Sequence, residues 1–274
     1  MIINHNLSGN TALSYLNKNQ KSASDSMEKL SSGLRINKAA DDAAGLSISQ
    51  KMQSQINGLD KAQSNAQDGV SLLQTAEGGL NETQSILQRM NELATQAAND
   101  TNVTIDRSAI TAEINTLSSE IDHISSSTNF NNQNLLGSAT GILTFQVGST
   151  ANTYDSMSVN LGSIEANTTT LSLTTLDLSS NLGAVSAMSI IQNAIDTVST
   201  SRSYIGAVQN RLTHTINNLS TEDQNLTTAS ASITDVDMAK EMMNYSKENV
   251  LQQAAQSMLA QANQNPQQVL KLLQ

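Results

Sequence analysis

Toward both ends of this 274-residue chain, apolar side chains return in steps of three and four, the spacing of a single stripe along a helix. The early ladder runs Leu13, Leu16, Gln20, Ala23, Met27, Leu30, Leu34, with one polar rung. The late one runs Ile191, Ile195, Val198, Arg202, Ile205, Gln209, Leu212, Ile216, Leu219, Asp223, Leu226. Burying one Leu or Ile is worth roughly 1.5–3 kcal/mol, so each stripe requires another helix laid against it. A short middle stretch abandons this period for simple alternation. The pattern therefore predicts a mainly α chain: a long antiparallel helical hairpin or coiled-coil bundle built from the N- and C-terminal segments, with a small β-hairpin region in the middle.

Aromatic residues make up 2% of the chain and Trp is absent, a poor stock for a thick globular core. A single Pro, at position 266, leaves long helices uninterrupted elsewhere. The absence of Cys removes any disulfide or thiolate-metal framework. Net charge is −10, and its placement matters more than its sum. Residues 1–60 hold six basic and five acidic groups and residues 181–274 five and seven, whereas residues 61–180 hold three and twelve. Nearly neutral, apolar-striped ends suit dense self-packing, while an acidic middle suits a solvated outer surface. With no basic stripe and no interleaved aromatics, nucleic acid is not an expected partner. The first ten residues have neither a basic start nor an apolar core of signal-peptide length, and no run of about 18 apolar residues is present to span a bilayer.

Along the chain, the first helix gives way near Gly33 to a polar passage in which Asp41 or Asp42 is placed to start the next helix. That second helix is predicted from about Ala43 to Asn99, with Met52, Leu59, Ala66, Leu73, Leu80, Leu87 and Ala94 along one edge. Its opposite edge mixes Ile56 and Val70 with Glu77 and Asn91, and Gly78 and Gly79 inside it suggest close backbone packing. Thr104 is the expected cap of a third helix bearing Ile110, Ile114, Leu117, Ile121 and Ile124. Alternation at Leu143, Phe145 and Val147, at Met157, Val159 and Leu161, and at Leu171 and Leu173 predicts two or three strands within about residues 140–178. Helix resumes near Val185 and runs to about Leu226. After a Ser/Thr-rich gap, Thr234 or Asp235 is expected to cap a last helix that Asn265-Pro266 interrupts. The earliest and latest segments lack a partner of sufficient area in the same chain. They are expected to fray in the monomer and to order against neighbouring copies.

The stretch Leu30-Ser-Ser-Gly-Leu-Arg-Ile-Asn-Lys-Ala-Ala-Asp-Asp-Ala-Ala-Gly-Leu-Ser-Ile resembles the N-terminal signature of bacterial flagellins. Arg202-Ser-Tyr-Ile-Gly-Ala-Val-Gln-Asn-Arg-Leu, and the stretch from Ala231 through Asp235-Val-Asp-Met-Ala to Gln267-Gln-Val-Leu-Lys-Leu-Leu, resemble the C-terminal half of that family. Together the matches cover roughly residues 1–135 and 185–274. The resemblance implies an inner terminal coiled-coil domain (1–42 with 230–274), a helical outer-tube domain (43–135 with 182–229) and a β-hairpin and loop region at the outer tip (136–181). It implies a structural subunit that assembles into the flagellar filament, the helical propeller of motility. The subunit would leave the cell by the flagellar type III route and reside outside it.

By the same resemblance the self-assembly core comprises Leu13, Leu16, Met27, Leu30, Leu251, Ala255, Met258, Leu259, Leu270 and Leu273. An export chaperone would cover Leu251, Ala254, Leu259, Leu270 and Leu273. Filament cap and junction proteins are further expected partners. Gln88, Arg89, Leu93 and Glu113 match the segment bound by the vertebrate Toll-like flagellin receptor, and residues 30–50 match the peptide sensed by plants; subunit packing is the favoured role of all of them. An alternative within the same apparatus is a hook–filament junction protein, and a third is an enzyme on a helical scaffold. Chemistry for the third is missing: His5, His123 and His214 lie on separate segments, and neither a His-Glu-x-x-His nor a Gly-x-Ser-x-Gly motif occurs. No cofactor is expected.

Overall fold

The computed structural model of the chain describes residues 6–137 and 141–272. The described residues divide into two compact units, one made of those up to Ser54 together with those from Asn225, the other of Gln55–Gln224. Five α-helices are described: α1 (Leu7–Ser32), α2 (Ala43–Ala97), α3 (Thr104–Ser127), α4 (Asn181–Thr234) and α5 (Met238–Leu272). Two antiparallel pairs accompany them, β1 (Asn129–Phe130) with β2 (Gln133–Asn134), and β3 (Ile142–Gln146) with β4 (Ser156–Asn160).

In the first unit, the Asn6 side chain caps α1 by accepting the Gly9 N–H at 2.9 Å. At the other end Gly33 takes φ 74°, the left-handed conformation that an L side chain resists, and donates its N–H to the Lys29 carbonyl. That reversal lets Leu34 bridge to Asp235, with the Arg35 N–H on the Thr234 carbonyl and the Val236 N–H on the Gly33 carbonyl. The two aspartates then divide their work. Asp42 accepts the Gly45 N–H at 2.9 Å and starts α2, while Asp41 accepts the Asn37 and Lys38 N–H groups, which hold its carboxyl below the usual range.

The second unit holds the apolar core. Leu73, Leu80, Leu87 and Met90 of α2, Ile114 and Ile121 of α3, and Ile191 and Ile205 of α4 are almost wholly buried. Of the predicted α2 edge, every member from Leu59 to Ala94 is buried. Gly79 is there for space, since a Cβ would lie 2.6 Å from Leu136 Cδ1, whereas a Cβ on Gly78 would meet nothing within 4 Å. The β3–β4 hairpin pairs Leu143 with Val159 and Phe145 with Met157, which turns one face inward. It lies on the flank of α2: the Asn65 amide donates to the Gln146 carbonyl at 3.1 Å, and the Phe145 ring fits over Gly69. Val147, Met157, Val159, Leu161 and Ile164 join the same core as the helices.

Several sequence expectations are corrected. Leu171 and Leu173 do not form a third strand; they are buried from an irregular segment held where the Asp122 carboxylate accepts both the N–H and the hydroxyl of Thr168. Period-two burial arises here from short turns, including Ser172 at φ 58°. Thr104 is the first helical residue of α3 and not its cap; the Asp106 carboxylate instead accepts the Val103 N–H. The Ser/Thr-rich stretch after Leu226 stays helical to Thr234. Ser232 and Thr234 donate their hydroxyls to carbonyls four residues back, so they do not compete with the helix. The cap of α5 is accordingly Asp237, whose carboxylate accepts the Lys240 N–H, and not Thr234 or Asp235. Nor does Asn265-Pro266 end that helix, which runs on to Leu272 through good helix formers, Gln267, Gln268, Leu270 and Lys271, after the proline. One small pair had not been foreseen: β1–β2 turns through Asn131 and Asn132 at φ 49° and 63°, the primed hairpin geometry that Asn tolerates.

Candidate functional site

The seam between α1 and α5 is made of small residues. Gly9, Ala23 and Ser26 on α1 and Ala262 on α5 are buried, and the helices run antiparallel. Asn6 donates to the Ala262 carbonyl near one end, and Ser26 meets the Glu241 carboxylate near the other. The two terminal helices thus do have a partner within the chain, but a narrow one. A single neighbour covers one stripe of a helix, in which small residues draw the backbones together and Leu16, Leu30 and Leu259 are only half-buried.

Other large side chains stay in solvent. Leu7, Leu13, Tyr15 and Met27 on α1 are 44–65% exposed, and Met238, Met242, Met243, Val250, Leu251 and Met258 on α5 are 40–67% exposed. Leu16, Leu30, Ala255 and Leu259 are half-buried, and Ala254 is exposed. Leu270 lies in the final turns of α5, and Leu273 falls outside the described residues. A paired-helix unit that keeps its small residues inside and its long aliphatic and thioether side chains outside is the reverse of a self-sufficient fold. Apolar surface of this extent marks an interaction face.

Glu241 gives this seam a pH dependence. The Ser26 hydroxyl bond, helped by Asn244, Lys29 and Lys240, holds its carboxyl below the ordinary 4.5. A depressed folded value means the contribution is present above about pH 4.5 and is lost as pH falls through the folded value. Protection of α5 amides against hydrogen exchange should therefore drop on acidification below pH 4.5 in the native chain. Glu241→Gln should start lower at neutral pH and show a flatter response.

On the second unit, Arg89 of α2 donates to Glu113 of α3 at 3.0 and 3.3 Å and to Glu92 at 3.2 Å. These carboxylates hold the guanidinium above its already high ordinary pKa. Gln88, Arg89 and Glu113 are exposed, but Leu93 is 3% exposed and belongs to the core, so an approaching protein would reach only the other three. Helix periodicity put Leu93 on the same segment, and only the packing of α3 and α4 reveals which way it faces.

Among the described residues, no group of three or more His, Asp or Glu is placed to hold a metal ion, and no helix is long and apolar enough to cross a membrane. His123 sits 3.8 Å from Glu120 on α3, far along the chain from His214 on α4.

Comparison with known proteins completes the picture. Residues 3–140 match the bacterial flagellin N-terminal helical region, and residues 188–273 match the bacterial flagellin C-terminal helical region. A flagellin of Halalkalibacterium halodurans is 50% identical over 273 residues, covering 100% of both chains. A flagellin of Bacillus subtilis is 45% identical over 305 aligned positions, again covering 100% of both. The crystal structure of Bacillus cereus flagellin is 33% identical and covers 57% of this chain and 88% of its own, with a TM-score of 0.49.

Proposed function

The chain belongs to the bacterial flagellin family, and from that premise we propose how its residues build a filament. It is the structural subunit of the bacterial flagellar filament. The contacts that join subunits are made by α1 and α5, with Leu13, Leu16, Met27, Leu30, Leu251, Ala255, Met258, Leu259, Leu270 and Leu273 buried in the assembled core. The observation that carries this reading is the packing of the first unit, where Gly9, Ala23, Ser26 and Ala262 are buried while Leu13, Met27, Leu251 and Met258 face out. In a filament this contact is heterologous, one face of a subunit meeting a different face of the next. A heterologous contact whose rotation does not close yields a helical polymer.

Residues up to about 42 with those from 230 then form the inner coiled coil. Residues 43–135 with 182–229 form the surrounding tube, and the segment 136–181 contributes to its outer side. The subunit travels unfolded through the flagellar type III route to the cell exterior. Before export a chaperone covers Leu251, Ala254, Leu259, Leu270 and Leu273, all but Ala254 of which assembly later buries. Cap and junction proteins meet the ends of the polymer, and host receptors reach Gln88, Arg89 and Glu113. The full-length relatives are flagellins, and nothing favours the hook–filament junction alternative.

Electron microscopy of the purified chain at high salt tests the assembly reading. Long polymers are the expected result, because salt strengthens apolar association and screens the −10 net charge. A population that stays monomeric at every concentration would contradict it.

A further inference from the structure

Sulfur in this chain is sorted between the two units. Cys is absent, so the ten methionines are its only oxidisable sulfur. In the second unit Met90 is wholly buried, Met157 is 5% exposed, and Met188 packs half-buried against the same core. The first unit is the opposite. Met27 on α1 and Met238, Met242, Met243 and Met258 on α5 are 47–67% exposed, and Met52 at the start of α2 is half-buried.

Where apolar surface is covered within the chain, the long rungs are branched aliphatics such as Leu73, Leu80 and Leu87, whereas four of the six exposed large apolar residues on α5 are Met. An unbranched thioether adapts to the shape of whatever packs on it, which suits a face completed only by a neighbour. The same choice leaves sulfur in water until that neighbour arrives. Exposed thioethers are oxidised to sulfoxides, which turns a flexible apolar side chain into a polar one and disrupts Met-rich interfaces.

We propose that Met27, Met238, Met242, Met243 and Met258 are modification sites, whose conversion to sulfoxides by hydrogen peroxide keeps the free subunit out of the polymer. A sulfur lone pair attacks one peroxide oxygen; the S–O bond forms as the O–O bond breaks, sulfur gives up two electrons, and the other oxygen leaves as water. The new sulfoxide oxygen is a strong acceptor, and burying it in an apolar contact without a donor opposes association. Reduction reverses the change: the oxygen departs as water while two thiols of a methionine sulfoxide reductase join as a disulfide. Accessibility of the five sulfurs follows from the free subunit, while their effect on assembly rests on the proposed contact of α1 and α5 between copies.

The test treats the purified monomer with dilute hydrogen peroxide and follows each methionine by peptide mass spectrometry. The five should gain oxygen at least about tenfold faster than Met90 and Met157. At high salt the oxidised chain should need on the order of tenfold more protein to polymerise for each sulfoxide that assembly buries, with the thermal transition of the second unit unchanged. The two reductases, one for each sulfoxide epimer, should restore polymers. The variant Met27→Leu, Met238→Leu, Met242→Leu, Met243→Leu, Met258→Leu keeps volume nearly constant and should polymerise equally before and after peroxide. Equal oxidation rates at Met90 and Met157 in the folded chain, or oxidised native chain polymerising at the untreated concentration, overturns the proposal. Should the fivefold variant not assemble, reductase rescue of the native chain decides by the same criterion. Untreated native chain that never polymerises strikes the assembly reading and the proposed effect on it, and the rate comparison alone then decides the modification sites.

Discussion

Leu259→Asp produces a chain whose second unit is folded and which forms no filaments. Leu259 is half-buried on α5 in the isolated subunit, so a carboxylate there keeps part of its hydration as long as the chain is alone. Assembly removes that escape. A charge drawn into a desolvated apolar seam without a partner costs several kcal/mol, and it does so at every subunit of the polymer. A loss of about 4 kcal/mol per contact raises the concentration needed for polymerisation on the order of a thousandfold. Sedimentation and electron microscopy read the loss of polymer, and an unchanged thermal transition of the Gln55–Gln224 unit shows that the fold survives. Filaments of ordinary length and yield from this variant would contradict the assignment of α5 to the subunit interface.

Leu87→Ala has the complementary effect. Leu87 is fully buried on α2, inside the core shared by α3, α4 and the β3–β4 hairpin. Truncating it removes the transfer free energy of three carbons and leaves a cavity that long packed helices collapse poorly, a cost of about 3 kcal/mol. For a unit of this size that corresponds to a melting temperature lower by roughly 6–12 °C. Calorimetry on the monomer reads it directly. A shift below 2 °C would mean that the core of the second unit is not what holds the subunit together. The two substitutions thus separate the roles of the two units: one face is reserved for neighbours, the other core for the chain itself.

Much of this was legible in the heptad pattern, because burial along a long helix is one-dimensional. The edge from Leu59 to Ala94 is buried throughout, and the second helix ends at Ala97 against an expected Asn99. What the pattern did not carry were features decided by single hydrogen bonds. Asp237 is the cap of α5 because its carboxylate meets the Lys240 N–H, and Ser232 and Thr234 stay helical because their hydroxyls bond backward. Leu171 and Leu173 look like a strand, but alternating burial says nothing about whether a partner strand exists. The Asn131-Asn132 turn carries no glycine and no flanking alternation, so nothing sets it apart from the chain's many other Asn residues.

The candidate site was legible in part. Family signatures at Leu30–Ile48 and Arg202–Leu212 point to a filament subunit, and the apolar ladder on α1 points to a buried stripe. Periodicity does not say who does the burying. On α1 the contact within the chain runs along the heptad position of Gly9, Leu16, Ala23 and Leu30 together with Ser26, so part of the ladder is covered by α5 while Leu13 and Met27 face away from it. Gly9 and Ser26 leave no hydrophobic signature, so the spacing alone does not show which part of the stripe α5 covers. Leu93 illustrates the same limit in reverse, since a residue on a surface-like segment faces the core.

Hydrogen exchange compared between dilute monomer and assembled filament tests the central claim most directly. In the monomer, amides of Leu7–Ser32 and of Met238–Leu272 should exchange far faster than those between Leu72 and Leu93, because a single two-helix seam with few fully buried side chains holds them. On polymerisation the two terminal helices should become strongly protected while the core of the second unit changes little. Terminal helices already as protected in the monomer as Leu72–Leu93, and unaltered by assembly, would contradict it.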